Sequence, residues 1–247
     1  ARLLILDEPT SALDAESEME VFEMVRQIAR TEMGFFGDSA VGEEGVLSYQ
    51  AYFVNGFDEG IIDGSGRLRV RGGRGSQKAD NNENKAFTGR LGYSPALGTS
   101  LGASLHTGKY DNADELGLTI MALDAKTVFG PLELQGEAAK VSADIDRDTN
   151  PDTAESQLGL YAQANYHILH DKLLQGSVVT LVARGDWVDY DTDRDGDAEE
   201  GLTLGVNFRP TEETVFKLDY NWKWVTPAEG EKGDSEGLFF FSFATYF

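Results

Sequence analysis

Four groups of side chains have types and spacings that could do chemistry. Asp191, Asp193 and Asp195, followed by Gly196, repeat the opening of a calcium-binding loop, with an acid at every second residue. The twelfth position of such a loop needs a bidentate glutamate, and here it is Leu202. A solvated acidic loop competes with weak divalent-cation binding, and no other cofactor is expected. His106, His167 and His170 lie on separate segments, two of them among polar neighbours, which fits polar lining better than metal ligation. Glu133 and Glu137 share one parity of one segment, where a wet surface would use them as solvated charges rather than as an acid–base pair. Arg67, Arg69, Arg71 and Arg74 concentrate positive charge in an acidic chain. They form either a solvated loop or a constriction whose side chains attract anions. No nucleophile motif accompanies any of these groups, so no enzyme activity is expected.

Composition narrows the partners. A net charge of −22 argues against nucleic acid, which is bound mainly through its phosphates. The 247 residues include no cysteine, so disulfides and thiolate metal sites are excluded. No apolar run of about 18 residues exists, so no membrane helix is expected. Membrane β-strands remain open, since each needs only about 9–11 residues and is half polar. The chain opens on Ala1 without a signal peptide, and a mature form or a fragment is expected.

The elements that position these residues are strands. In Thr214–Val225, Phe216, Leu218, Tyr220, Trp222 and Trp224 share one parity, and Lys217, Asp219, Asn221 and Lys223 the other. That is the two-residue period of a strand with one oily and one wet face. Glu236–Phe247 places Phe239, Phe241, Phe243 and Phe247 on one face. Similar alternation predicts strands over Val46–Gly56, Lys85–Ser94, Gly98–Gly108, Glu115–Lys126, Pro131–Asp144, Glu155–Ile168, Ser177–Tyr190 and Glu200–Arg209, about ten in all. In Glu115–Lys126 the oily face is read as Leu116, Leu118 and Ile120. Short connections at Ser94–Leu97, Thr127–Pro131, Leu169–Gly176 and Pro210–Glu213 alternate with longer polar ones. The expectation is an all-β, antiparallel transmembrane barrel or partial barrel, because such barrels sort short turns to one side. Ten strands could close, or could leave a curved sheet with two open edges.

The C-terminal stretch, with its alternate aromatics and terminal Phe247, resembles the last strand of bacterial outer-membrane β-barrels. The family's assembly machinery reads a terminal Phe, which implies an assembly signal at Phe239, Phe241, Phe243 and Phe247. The family usually has an aromatic two places before that Phe, where this chain has Thr245. Gly42–Asp58, the Arg-Gly-rich stretch Gly66–Gly75 and the later strands resemble porins of the phosphate-selective type. This implies passive diffusion of small polar solutes or ions, an outer-membrane location and contact with its lipid. Trimeric assembly is an expectation carried by that resemblance alone. Such porins have about sixteen strands, so the resemblance implies the C-terminal part of a barrel over residues 34–247. A non-transporting structural barrel is one alternative.

Residues 1–33 read differently. Leu3–Leu6, Asp7-Glu8 and Pro9-Thr10-Ser11-Ala12-Leu13-Asp14 closely resemble the Walker B and D-loop region of ABC transporter ATPases. The resemblance implies that Asp7 helps to hold Mg²⁺ through water, that Glu8 polarises the attacking water and that Asp14 closes the D-loop. No phosphate loop or signature motif accompanies them, so the motif is read as vestigial and foreign to the barrel. An ATP-binding subunit fragment is the second alternative. Its predicted form is a strand and a helix outside the barrel wall.

Parity also selects the side chains that would line a pore. Arg90, Arg184, Arg209, Lys217 and Lys223 fall opposite the aliphatic face, with Glu133, Glu137 and Asp219. A cation on the lipid face costs roughly 2–4 kcal/mol at midplane, so these charges should point inward. The basic ladder predicts a weak preference for anions.

Overall fold

The computed structural model describes residues 33–74, 85–228 and 230–245. Asp7, Glu8, Asp14 and Phe247 lie outside them, as does all of the predicted ATPase-like segment except Met33. Among the described residues the chain is one antiparallel sheet of eleven strands in sequence order. The strands are β1 (Met33–Val41), β2 (Gly45–Asn55), β3 (Lys85–Ala96), β4 (Thr99–Lys109), β5 (Gly117–Phe129) and β6 (Leu132–Ala143), then β7 (Ser156–Ile168), β8 (Val178–Asp189), β9 (Ala198–Thr211), β10 (Thr214–Thr226) and β11 (Glu236–Thr245).

The expected strand count was short by one. β1 was missed because Phe35 and Phe36 are adjacent and Gly34, Gly37 and Asp38 flank them, so no alternation announces it. It pairs with β2 along its whole length, from Met33 opposite Phe53 to Val41 opposite Gly45. The sheet is not closed: β2 pairs with β1 and β3 rather than with β11, and among the described residues no strand pairs with the outer edge of β1 or β11.

One rim holds the four connections of two or three residues, 42–44, 97–98, 130–131 and 212–213, together with 169–177, which was expected to be short and has nine residues. Two of the three two-residue turns use glycine where the backbone turns left-handed, at Gly98 (φ 81°) and Gly130 (φ 58°). The connections 56–84, 110–116, 144–155, 190–197 and 227–235, each of seven residues or more, lie at the other rim.

Continuous registers give the sheet two chemically distinct faces. One row of the apolar face runs Tyr49, Leu91, Ala103, Leu123, Ala138, Leu160 and Trp187 across β2 to β8. Leu91, Leu123, Phe239 and Phe241 on this face are about 60% exposed, at 58%, 64%, 63% and 64%. Surface of that kind in water forfeits roughly 1.5–3 kcal/mol per large side chain. The buried core is small and lies on the opposite face. There Ile61 and Leu68 pack with Tyr110, Leu118, Ala143 and Ile145.

That core corrects the reading of β5. Leu118 and Ile120 lie in register with Ala143 and Val141 on the polar face, together with Asp124 and Lys126. The apolar face of β5 is instead Met121, Leu123 and Ala125. Leu118 looked like a lipid-facing residue because the chain that covers it, 56–74, is distant in sequence.

Candidate functional site

The polar face and the connection that folds onto it form the candidate site. The charged residues described below alternate with apolar neighbours, so the strand period aims them to this side, whereas Lys140 lies opposite Met121 and Leu158, and Glu200 opposite Trp187 and Trp224, on the apolar face. Arg90 makes a bidentate pair with Asp124 across β4, at 2.6 and 2.8 Å, and also donates to the Ser104 hydroxyl. Gly102 lies beneath this pair, and a Cβ there would collide with both Arg90 and Asp124, so the ion pair rests flat on the sheet. Lys126 bonds Glu133 at 2.9 Å, whose other oxygen accepts from Asn165. The Arg184 guanidinium holds Asp186 at 2.7 Å and sits 3.9 Å above the Tyr161 ring. Lys223 pairs with Glu199 at 2.6 Å.

Four of these wall cations are therefore neutralised locally, including Arg90, Arg184 and Lys223 from the predicted ladder. Parity selects the face but not the partners, which for Arg90, Lys126 and Lys223 come from other strands and for Arg184 from two residues along the same strand. Lys126 was missed although it sits at an inward position, because the face of β5 was read with the opposite parity. Arg209 and Lys217 make no ion pair among the described residues, and neither do Glu137 and Asp219. Lys217 and Asp219 stand two residues apart on β10, with Asp219 folded over Gly205 of β9.

Phe239, Phe241 and Phe243 share the apolar face of β10, opposite Tyr220, Leu218 and Phe216. Phe216 and Phe243 have ring centroids 5.0 Å apart. β11 is also apolar on its other face, where Leu238 and Phe240 lie opposite Asn221 and Asp219.

The connection 56–74 turns inward over the polar face near the long-connection rim. Two short 3-10 turns, Glu59–Ile61 and Val70–Gly73, shape it. Asp58 caps the first through Gly60 N–H. Groups of the 144–155 connection and of β7 then hold its backbone. Thr153 Oγ1 donates to the Gly66 carbonyl at 2.5 Å, and Gln157 Nε2 donates to the Leu68 carbonyl at 3.0 Å. Phe57 meets the His106 ring edge-on at 5.0 Å. Tyr110 supports the floor by donating to the Asp144 carbonyl at 2.6 Å, and burial, helped by Asp111 and Asp144, pushes its hydroxyl up to about 12.

Arg67, Arg69, Arg71 and Arg74 are all exposed on this connection. Arg69 pairs with Asp63 at 3.1 Å, while Arg67, Arg71 and Arg74 make no ion pair among the described residues. The Asp63 carboxyl is lowered to about 2 by the Ser65 hydroxyl, then by the backbone N–H groups of Arg67 and Ser65, with Arg69 adding attraction.

The remaining sequence candidates separate. Asp191 accepts from Asp193 N–H and pairs with Arg194 at 3.2 Å, leaving Asp193 and Asp195 exposed. Among the described residues no three His, Asp or Glu side chains are grouped to hold a metal. His106 bonds Thr88 at 2.8 Å, and His167 bonds Thr180 at 2.8 Å. His167 and His170 lie ring to ring at 6.2 Å.

No family model matches the sequence, and no curated protein matches it. The structure is similar to that of the outer membrane channel DcaP of Acinetobacter baumannii, with a TM-score of 0.51 at 11% identity over 86% of this chain. The chain spans 62% of that channel. LpxR from Salmonella typhimurium is a more remote match, with a TM-score of 0.31 at 8% identity over 94% of this chain and 95% of that one. The fold is thus an antiparallel all-β sheet like the one in that outer membrane channel.

Proposed function

We propose that this chain forms the wall of an outer-membrane channel through which small polar solutes and ions diffuse without covalent chemistry. The observation that carries the reading is the two-faced sheet. Its bare aliphatic and aromatic face backs a polar face of ion pairs and hydrogen-bonded amides. A soluble protein would cover the first face, whereas lipid covers it in a membrane.

The inward connection is the constriction of this channel. The paired wall cations contribute little net field, so selection rests on Arg67, Arg71 and Arg74, with Lys217 and Arg209 deeper on the wall. Wall acids without ion pairs, Glu137 and Asp219, oppose them. The expected result is a weak preference for anions.

The absence of native cysteine makes the test direct. Single cysteines at Asn207, Lys217, Leu204 and Leu218 are placed in the full chain, which is then reconstituted in phospholipid vesicles. A charged thiol reagent should label positions 207 and 217 and spare 204 and 218. A fluorophore at 204 or 218 should be quenched by a lipid-borne quencher. Equal labelling of both sets would overturn the membrane reading.

A further inference from the structure

The charged strand residues on the apolar face all belong to the half nearer the long-connection rim. They are Lys85 of β3, Lys109 of β4, Lys140 of β6, Asp189 of β8 and Glu200 of β9. Lys85 donates to Asn55 and Lys109 to the Glu115 carbonyl. Asp189 accepts from Asp191 N–H, and Glu200 is held by Lys232. Lys140 has no polar partner among the described residues, although it is exposed and lies between Met121 and Leu158. A cation facing lipid is costly at mid-membrane and tolerated near the boundary, where its ammonium reaches headgroups while its stem lies on apolar surface.

A furrow starts beside Lys140 and follows β6 toward the short-turn rim. Lys140, Ala138 and Gly136 are successive residues of its apolar face. Ala138 lies between Leu123 and Leu160, which are 64% and 44% exposed, so two leucines wall a floor of one methyl group. In the next row Gly136 has only Ala125 and Ala162 beside it. There the furrow widens into a groove of about 570 Å³, edged by Leu101 and Leu134. The four residues from Lys140 to Gly136 span roughly 13 Å of strand. Half of a hydrocarbon core is about 15 Å, so one leaflet's acyl chain reaches from Lys140 to the groove.

The occupant must be apolar along the furrow and anionic at one end. A second copy of the chain would have to bring an acid to Lys140, and the acids of its own apolar face, Asp189 and Glu200, are already engaged. A net charge of −22 gives no diffuse attraction for anions, so the preference rests on Lys140 itself. We propose that the furrow along β6 is a binding site for a phospholipid with an anionic headgroup, whose phosphate pairs with Lys140 and one of whose acyl chains lies over Ala138 and Gly136. The site belongs to the leaflet at the long-connection rim, and it rests on the membrane reading of the apolar face.

The test uses the full chain with a fluorophore on Leu134→Cys, at the edge of the groove, or on Leu218→Cys, on β10 away from it. Each is reconstituted in phosphatidylcholine vesicles with rising fractions of phosphatidylglycerol brominated midway along its chains. Position 134 should be half-quenched at about a fivefold lower fraction than position 218, the order of preference that one lysine gives for an anionic lipid. Lys140→Gln should bring position 134 level with 218. Ala138→Leu fills the furrow and keeps the charge, and it should do the same. Added inorganic phosphate should leave the difference in place. Equal half-quenching of the two positions in the parent, or a fivefold difference that survives both variants, would overturn the site and leave the membrane reading intact. Protection of position 134 from both lipids, with a shift to a larger oligomer, would put a second copy in the furrow and overturn the site as well. No quenching at either position by brominated phosphatidylcholine would overturn the membrane reading and the site together.

Discussion

The same alternation of residues is used in opposite ways in two parts of the sheet. In β9 and β10 the inward face is polar and open, with Asn207, Lys217, Asp219, Asn221 and Lys223, and the outward face carries the aromatic residues; β11 alone adds Leu238 and Phe240 to the inward side. In β5 and β6 the inward face turns apolar toward the long-connection rim, where Leu118, Ile120, Val141 and Ala143 lie beneath Ile61 and Leu68. What separates the regions is a cover. Where residues 56–74 lie on the wall, the wall presents a small dry core, and where nothing covers it, the wall presents hydrogen-bonding groups. A strand's oily parity therefore marks lipid only when the other parity is wet along its whole length.

The largest test of this contrast is a pair of truncations. Leu118→Ala removes the centre of the covered core and should cost about 2–5 kcal/mol, as buried leucine truncations do. Proteolysis within 56–74 should rise steeply. Lys217→Ala on the open wall should stay within about 0.5 kcal/mol. Equal losses in urea titration would erase the distinction between the regions.

A smaller effect is expected at the clasp. Gln157 donates to the Leu68 carbonyl at 3.0 Å and to the Tyr190 carbonyl at 3.2 Å. Gln157→Ala should cost about 1–2 kcal/mol and loosen the inward connection without disturbing Leu118. Hydrogen exchange at residues 58–73 would read it. Unchanged protection there would mean that the apolar contacts alone hold the connection.

The smallest effect concerns pH. The folded Asp63 carboxyl is lowered to about 2, below its ordinary value near 3.9. Its contribution is thus full above the ordinary value and fades as pH falls through about 2. Protease resistance of the turn around Asp63 should hold from neutral pH to about 4 and decline only below that. A decline centred near pH 6 would point to a different group.

Much of the wall was legible from the chain. The two-residue period in β2, β4, β7, β9 and β10 needs only local chemistry, because each side chain's face follows from its parity. The positions of the connections were legible too, since glycine and polar residues mark them, but the sorting by length holds only in part, because 169–177 has nine residues and 110–116 has seven. β1 was not legible, because Phe35-Phe36 breaks the alternation and pairing with β2 supplies what the pattern lacks. The inward faces of Leu118 and Ile120 were not legible either.

By itself, then, the sequence determined the all-β class, the antiparallel meander and the parity of most charged residues, all of them consequences of nearest-neighbour geometry. The tertiary structure alone decided which charges cancel, as Arg90 meets Asp124 and Lys223 meets Glu199 across strands. It decided where residues 56–74 come to rest, since Thr153 and Gln157 reach them from nearly ninety positions away, at separations of 87 and 89 residues. It also decided that β1 and β11 run the same way, because direction depends on the total number of strands and one unread strand reverses it.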